Sequence, residues 1–476
     1  MKVLLVSAEV DPFAKVGGLA DVAGSLPRAL AKLGTDIRVI MPKYRTVRLR
    51  AGDMQRVVES LPVLMPACES GCAIDMSYLP DSNVPVYFVE HNEYFDREGV
   101  YGSPSGVYAD NAQRLCFFCR AALAAAPALG FEPDVIHLND WHTALIAAYC
   151  KLRGLHYATV FTAHNLGGAY QGTFPQDYLD DVGLDLGEPR VHRLLLGGPL
   201  NLARVGLGFA DVINTVSEKY AEETANEATG EGVADLIAQR GNDMWGVVNG
   251  IDYDLWSPRN DGHIAAQYDA DDISGKAACK ADLQGEFGLP QNPDIPLISM
   301  VTRLDAQKGL DLVAELLDDT SRFQLVLLGT GDPQLEALFS EASRTHENIG
   351  ARLEFSDALA RKIYAGADMF LMPSRYEPCG LGQMIALAYG TVPIVRSTGG
   401  LADTVHATGA ATNGFSFEEY STEALRGALK QALDAYRNSR RWRRLMANAF
   451  ACDYSWTASA RRYQELYQAA CQKAAA

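Results

Sequence analysis

Short apolar runs alternate along the chain with longer stretches in which apolar residues recur every three to four positions. Residues 3–7 form the first run and predict a β-strand; a helix over 18–33 follows, closed by Gly34. Runs at 37–41, 84–89, 134–138, 157–162 and 212–216 predict further strands, with 84–89 the clearest of several β-prone runs between 55 and 90. Helical periodicity fills 108–126 and 142–152, and a helix is expected after Ser217. Residues 246–275 change character: Asn249-Gly250-Ile251-Asp252 leads into a polar, Asp-rich stretch that reads as a domain boundary. The rhythm then restarts, with strands predicted at 296–301, 324–328, 352–355, 369–372 and 392–395, a helix from Leu310, and helices dominating from about Ser421. Apolar strands separated by helices predict mostly parallel sheets covered on both faces. The fold class is therefore α/β, two doubly wound Rossmann-like domains with an interdomain cleft, and ligands in such folds bind at the carboxyl ends of strands.

Composition narrows the functional classes. A chain of 476 residues suits two or three domains, and 48% hydrophobic with 21% charged residues describes an ordinary globular protein. A formal net charge of -17 argues against general nucleic-acid or anionic-membrane binding. If the substrate is itself an anion, the basic residues that meet it must be few and local. The first apolar run is too short for a signal peptide, and no stretch approaches the roughly 18 apolar residues of a spanning helix, so a cytoplasmic location is expected. Nine scattered cysteines read as reduced thiols. Cys68, Cys72, Cys116 and Cys119 could make a four-thiolate zinc site, but Cys116 and Cys119 lie inside a helical pattern and read as small buried hydrophobes. Asp252-Tyr253-Asp254 and Asp269-Ala270-Asp271 spell Asp-x-Asp in the polar linker and read as solvated loop, so no metal is expected.

Candidate chemistry gathers at strand ends. Lys15-Val16-Gly17-Gly18-Leu19-Ala20-Asp21 follows the first strand and opens the first helix, where adjacent glycines, helix N–H groups and a lysine favour an anion. It is neither a P-loop nor a dinucleotide fingerprint, which disfavours a nicotinamide oxidoreductase. Thr398-Gly399-Gly400-Leu401-Ala402-Asp403 repeats the Gly-Gly-Leu-Ala-Asp turn in the second half. Two such turns facing across a cleft would form a diphosphate pocket. Arg303 and Lys308 place two cations on one loop at the end of the second half's first strand, as solvated charges or as a clamp on a leaving phosphate. Asp140 and His164 close neighbouring strands of the first half, whereas His137 lies within its strand and belongs to the core. Met372-Pro373-Ser374-Arg375-Tyr376-Glu377-Pro378-Cys379-Gly380-Leu381 turns a buried strand into a helix, and Glu377 is either a capping or ion-pairing residue or a contact to bound substrate.

These motifs, in this order and over essentially the full length, resemble bacterial glycogen synthases and plant starch synthases, retaining glucosyltransferases of the two-domain GT-B fold. The resemblance rests on Lys15 to Val22, Asp140-Trp141-His142, His164-Asn165-Leu166, Asn249-Gly250-Ile251-Asp252, Arg303-Leu304 with Gln307-Lys308-Gly309-Leu310, Pro373 to Leu381, and Thr398 to Asp403. It implies transfer of glucose from ADP-glucose to the non-reducing end of an α-1,4-glucan (glycogen or a malto-oligosaccharide), with retention, without metal or cofactor. It implies a donor contact for Lys15 in the turn of Gly17, Gly18 and Asp21. It gives the diphosphate to Arg303 and Lys308, the glucosyl hydroxyls and ribose to Glu377 and the backbone after Cys379 at Gly380 and Leu381, and the distal phosphate to N–H groups of Thr398, Gly399 and Gly400. Glu9, Asp140, His164 and Asn249 would lie on the sugar and acceptor side, Gly331 would line the donor site, and Phe355 would flank the adenine where Tyr is common. The implied domains are an acceptor-side domain over 1–245, a donor domain over 246–457 and a last helix, 458–476, crossing back onto the first. Departures from the family pattern are Gly167 and Gly168, which intervene before Ala169, Phe355 in place of Tyr, and the short segment 194–208; residue 385 is Ile where wider relatives often carry a second Glu, and a non-acidic residue there is usual in this subgroup. A nucleotide-sugar epimerase or a non-catalytic nucleotide-sugar sensor on the same fold are the rival readings.

Overall fold

The computed structural model describes residues 1–50, 53–195 and 197–476. The chain divides into two compact units, Met1–Gly250 with Trp456–Ala476, and Ile251–Ser455.

The first unit is built on a nine-stranded sheet. Its strands are β1 (Lys2–Val6), β2 (Asp36–Pro42), β3 (Gln55–Leu64), β4 (Glu69–Tyr78), β5 (Pro85–Glu90), β6 (Val135–Asn139), β7 (Ala158–Ala163), β8 (Val212–Thr215) and β9 (Met244–Gly246), in the order β9-β8-β7-β6-β1-β2-β5-β4-β3. Seven strands from β9 to β5 run parallel; β4 and β3 add an antiparallel hairpin at one edge. The central strands β6 and β7 are buried at every position, the mark of a sheet covered on both faces. Helix α1 (Gly18–Lys32) is amphipathic, burying Leu19, Val22, Leu26 and Leu30 at helical spacing. Helix α2 (Asn111–Ala128) begins three residues later than the periodicity predicts, after the loop in which Asn111 Nδ2 donates to the Tyr101 carbonyl. The predicted helix from 142 is split: Trp141–Thr143 is a single 3-10 turn and the α-helix runs Leu145–Leu152.

The second unit carries a six-stranded, all-parallel sheet. Strands β10 (Leu297–Val301), β11 (Gln324–Leu328), β12 (Ile349–Arg352), β13 (Met369–Met372), β14 (Val392–Arg396) and β15 (Phe415–Phe417) lie in the order β12-β11-β10-β13-β14-β15. One face packs Ile298, Met300, Leu325, Leu327, Met369, Leu371 and Ile394 into a core closed by Leu429, Leu433, Trp442 and Leu445. The strand expected at 352–355 is displaced to Ile349–Arg352. Ile349 is the buried partner of Leu325, and Ser356 is committed to capping the following helix by accepting the Leu359 N–H. Residues 382–388 form helix α3 (Gly382–Ala388), and α4 (Gly399–Thr404) follows β14.

The chain leaves the first unit after Gly250 and returns at Trp456, where α5 (Trp456–Ala474) packs on α1 and β7. Tyr467 Oη lies 2.9 Å from His137 Nδ1, and Asn214 Nδ2 donates to Tyr463 Oη. His137 is fully buried. Gly250 is required at the junction, because a Cβ there would stand 2.5 Å from the Trp456 backbone. Cys116 and Cys119 are buried in α2, with Cys116 Sγ beside Tyr149 Oη and Cys119 Sγ beside the His142 carbonyl, whereas Cys68 is exposed. Among the described residues no helix is long and apolar enough to cross a membrane. Leu196, in the segment 194–208, lies outside the described residues.

Candidate active site

In the second unit β10 and β13 are neighbours, so the loops at their carboxyl ends run side by side. They are stitched together at three points. The Arg375 N–H donates to the Gln307 carbonyl (2.8 Å), and Gln307 Nε2 donates to the Tyr376 carbonyl (3.1 Å). Gly309, at φ +70, lies so close that a Cβ would stand 2.0 Å from the Pro373 carbonyl oxygen. This frame holds Lys308 Nζ 2.7 Å from Glu377 Oε2, with side chains 15% and 7% exposed. Ser374 Oγ donates to the same carboxylate oxygen (3.0 Å). Glu377 Oε2 is thus saturated, while Oε1 has no hydrogen-bond partner among the described residues. Lys308 spends one of its three donors on Glu377. Arg303 stands on the same loop, largely exposed, 3.4 Å from Asp305.

The second glycine turn packs onto this loop. A Cβ on Gly399 (φ +45) would stand 1.9 Å from the Glu377 carbonyl oxygen, and one on Gly400 would stand 2.1 Å from that of Cys379. Close backbone approach, not an open cradle, is what these glycines supply. The expected N–H ligands are correspondingly reduced: the Thr398 N–H donates to the Arg396 carbonyl and the Gly400 N–H to the Glu377 and Pro378 carbonyls. Gly331 is similar, its N–H taken by Glu336 Oε1 (2.9 Å) and its Cα held against Leu304. Cys379 is buried, Gly380 takes φ +74, and Leu381 precedes α3. Phe355 is 87% exposed just before the Ser356 cap.

In the first unit the ends of β1, β6 and β7 bring together Glu9, Asp140 and His164. Glu9 is buried, and its Oε2 accepts the N–H groups of Val16 (2.6 Å) and Gly17 (2.9 Å) while Oε1 accepts Tyr101 Oη (2.7 Å). Two amides of the turn expected to meet a ligand anion are therefore held by a protein carboxylate. Around Gly17 and Gly18 no described residue lies within 4 Å of an added Cβ, so among the described residues this turn is open as the other is not. Lys15 pairs with Asp21 at 2.6 Å. Asp140 sits at φ +58 and ψ 177, a conformation costing about 1–3 kcal/mol in a non-glycine residue. Its Oδ1 accepts the His164 N–H (2.7 Å). Burial pushes the Asp140 carboxyl up to about 7, aided by the charge of Glu9 and opposed by the N–H groups of His164 and Asn165. Burial likewise lowers His164 to about 4 and His142 to about 3, so both rings are neutral near neutral pH. His142 stacks on Tyr101 with centroids 4.7 Å apart. Asn249 is buried, and its Oδ1 has no hydrogen-bond partner among the described residues.

Four residues of these networks are given no role by the sequence: Asn139, whose Oδ1 lies 3.0 Å from His164 Nε2, and Tyr101, together with Ser374 and Gln307, which lie inside the motifs. Only the position of Asn139, at a strand end beside Asp140, could have drawn attention to it.

Residues 2–239 match the starch synthase catalytic domain family and residues 286–447 the glycosyl transferases group 1 family. The chain is 46% identical over 487 residues to a glycogen synthase of Syntrophotalea carbinolica and 45% identical over 490 residues to one of Thermotoga maritima, with 99% of each chain covered in both cases. Among solved structures it is similar to the catalytic domain of starch synthase IV from Arabidopsis thaliana bound to ADP and acarbose, with a TM-score of 0.86, 32% identity and 99% of both chains covered. A sucrose-phosphate synthase from Thermosynechococcus elongatus, 21% identical with a TM-score of 0.61 over 98% of both chains, shares the fold.

Proposed function

The chain belongs to the glycogen and starch synthase family of retaining glucosyltransferases, and from that premise we propose that it transfers glucose from ADP-glucose to the non-reducing end of an α-1,4-glucan, releasing ADP. We assign the donor to the second unit and the glucan to the first. The observation that carries the reading is the buried Lys308–Glu377 pair. Its geometry leaves two Lys308 N–H groups for the diphosphate and Glu377 Oε1 for a glucosyl hydroxyl, so one pair serves both halves of a nucleotide sugar. Arg303 adds a planar, solvent-facing fork for phosphate oxygens. Phe355 offers an exposed aromatic face to the adenine, and Glu9, Asp140, His164 and Asn249 serve the sugar and acceptor side.

Retention places the incoming hydroxyl on the face that the diphosphate leaves. Negative charge then grows on the leaving phosphate as positive charge grows on the sugar ring. Cations preorganised at the phosphate stabilise that state, and a donor of this kind contributes about 3 kcal/mol. Burial keeps the rings of His164 and His142 neutral, so neither brings positive charge to the sugar and acceptor side. No step calls for a metal.

Labelled ADP-glucose and UDP-glucose, offered in competition with glycogen as acceptor, test the reading. ADP release that depends on glycogen, with label entering the polymer, is expected. Preference for the uridine donor overturns the ADP-glucose assignment. Turnover without acceptor points to epimerisation or hydrolysis, and donor binding without any product to a sensor.

A further inference from the structure

We infer that Asn139 is a positioning residue that holds His164 as the Nε2–H tautomer and thereby turns its Nδ1 into a hydrogen-bond acceptor for a sugar hydroxyl. The inference rests on the proposed sugar-side role of His164.

Asn139 is the last residue of β6, fully buried, and its amide has one possible orientation. Nδ2 lies 3.1 Å from the carbonyl oxygen of Val6 on neighbouring β1, with the His137 carbonyl at 3.5 Å. Carbonyls only accept, so the NH₂ group faces them and Oδ1 faces His164. An amide oxygen also only accepts. The ring nitrogen 3.0 Å away, Nε2, must therefore carry the proton. In a neutral imidazole the proton on Nε2 leaves Nδ1 with its lone pair, and Nδ1 has no hydrogen-bond partner among the described residues.

The neighbouring residue fixes the backbone of the same histidine, since Asp140 Oδ1 takes the His164 N–H at 2.7 Å. Asn139 and Asp140 thus set ring and main chain from one strand end. His137 and His142, both held neutral by burial, face the ring electrostatically, and the Asp140 carboxyl, itself beside Glu9, meets this histidine at its backbone N–H. None of them bonds to the ring, so the tautomer depends on Asn139. A histidine locked this way accepts from a hydroxyl but does not protonate one, which suits a site that orients a sugar more than it transfers a proton.

Long-range proton–nitrogen correlation spectra of the full-length protein labelled with ¹⁵N-histidine read the tautomer directly, with the His164→Gln variant assigning the signal. The expected spectrum shows Nε2–H and stays unchanged from about pH 8 to pH 5. Asn139→Leu should populate both tautomers and lower kcat/KM about tenfold, the equivalent of one hydrogen bond. Asn139→Asp should place a carboxylate against Nε2, so that ring protonation moves up into the pH 5–8 range and kcat/KM acquires a histidine-like ionisation absent from the parent. That pH profile is a change a merely structural asparagine does not produce, and it survives if the leucine variant fails to fold. An Nδ1–H tautomer in the parent, or a parent-like spectrum and kcat/KM in Asn139→Leu, overturns the inference. Full kcat/KM in His164→Gln overturns instead the sugar-side role of His164, whatever the tautomer.

Discussion

Lys308 Nζ and Glu377 Oε2 lie 2.7 Å apart on loops that leave the neighbouring strands β10 and β13, and both side chains are largely withdrawn from solvent. The pairing is local chemistry with two consequences. Each charge is compensated without ligand, so the site can stand preformed. Each partner also keeps unused capacity, donors on Lys308 and an acceptor on Glu377, aimed by the same frame of backbone bonds that runs through Gln307, Arg375 and Tyr376.

Removing one member of the pair strands the other. Lys308→Ala should lower turnover by on the order of 10². It should also destabilise the protein by about 3–5 kcal/mol, because the Glu377 carboxylate remains buried without its counter-charge. Glu377→Gln preserves shape and should abolish glucose incorporation with the fold intact by circular dichroism. The double variant Lys308→Met, Glu377→Gln should recover thermal stability over Lys308→Ala while staying inactive. Unchanged turnover of Lys308→Ala at saturating donor would remove that lysine from the phosphate clamp.

The two glycine turns should respond oppositely to alanine. At Gly399 and Gly400 an added Cβ collides with the Glu377 and Cys379 carbonyls, so either variant must push the Glu377 loop aside. Both should lose thermal stability and activity together. At Gly17 and Gly18 no described residue comes within 4 Å of an added Cβ, and alanine there should leave the melting temperature within about 1 °C of the parent, the surface-substitution range. A rise in donor or acceptor KM in Gly17→Ala or Gly18→Ala then reports ligand approach to that turn. Equal loss of stability in both turns would contradict the distinction.

The motifs made this site legible, because Glu377, Lys308, Arg303 and the glycine turns all follow apolar runs that can only be buried strands. The pairing between them was not legible. Lys308 and Glu377 are 69 positions apart, and only the β10–β13 neighbourhood brings them together. The repeat of Gly-Gly-Leu-Ala-Asp suggested one role for both turns, yet sequence cannot tell a glycine opened to a ligand from one pressed against a carbonyl. Glu9 read as a sugar-side residue and is found holding the Val16 and Gly17 amides. The shift of β12 to Ile349–Arg352 has a similar cause: Arg-Leu-Glu-Phe at 352–355 alternates where Ile-Gly-Ala-Arg at 349–352 does not, and the pairing of Ile349 with Leu325 overrides that pattern.

Phe355 carries a prediction that separates binding from folding. An exposed aromatic contributes little to stability, so Phe355→Ala should change unfolding free energy by less than about 0.5 kcal/mol. If it stacks on the donor base, KM for ADP-glucose should rise about tenfold, since such a contact is worth about 1–3 kcal/mol. Phe355→Tyr should retain the parent value. Unaltered donor KM in Phe355→Ala would mean that the base lies elsewhere.

Asp140 and the buried histidines pull the pH dependence of stability in opposite directions. His164 is lowered from 6.5 to about 4, and His137 and His142 to about 3, so the unfolded chain binds more protons than the folded one between those values. Stability from these groups is lost as pH falls below 6.5. Asp140 is raised from 3.8 to about 7, so there the folded state binds the extra proton and stability is gained as pH falls from 7 toward 4. Asp140→Asn removes the opposing contribution while keeping an oxygen for the His164 N–H. The variant should therefore be at least as stable as the parent at pH 8, where the buried carboxylate is charged, and should lose stability more steeply on acidification. Urea midpoints at pH 8, 7, 6 and 5 measure the difference. Parallel curves for the two proteins would show that the Asp140 carboxyl titrates in the ordinary range, and that its strained position serves only to hold His164.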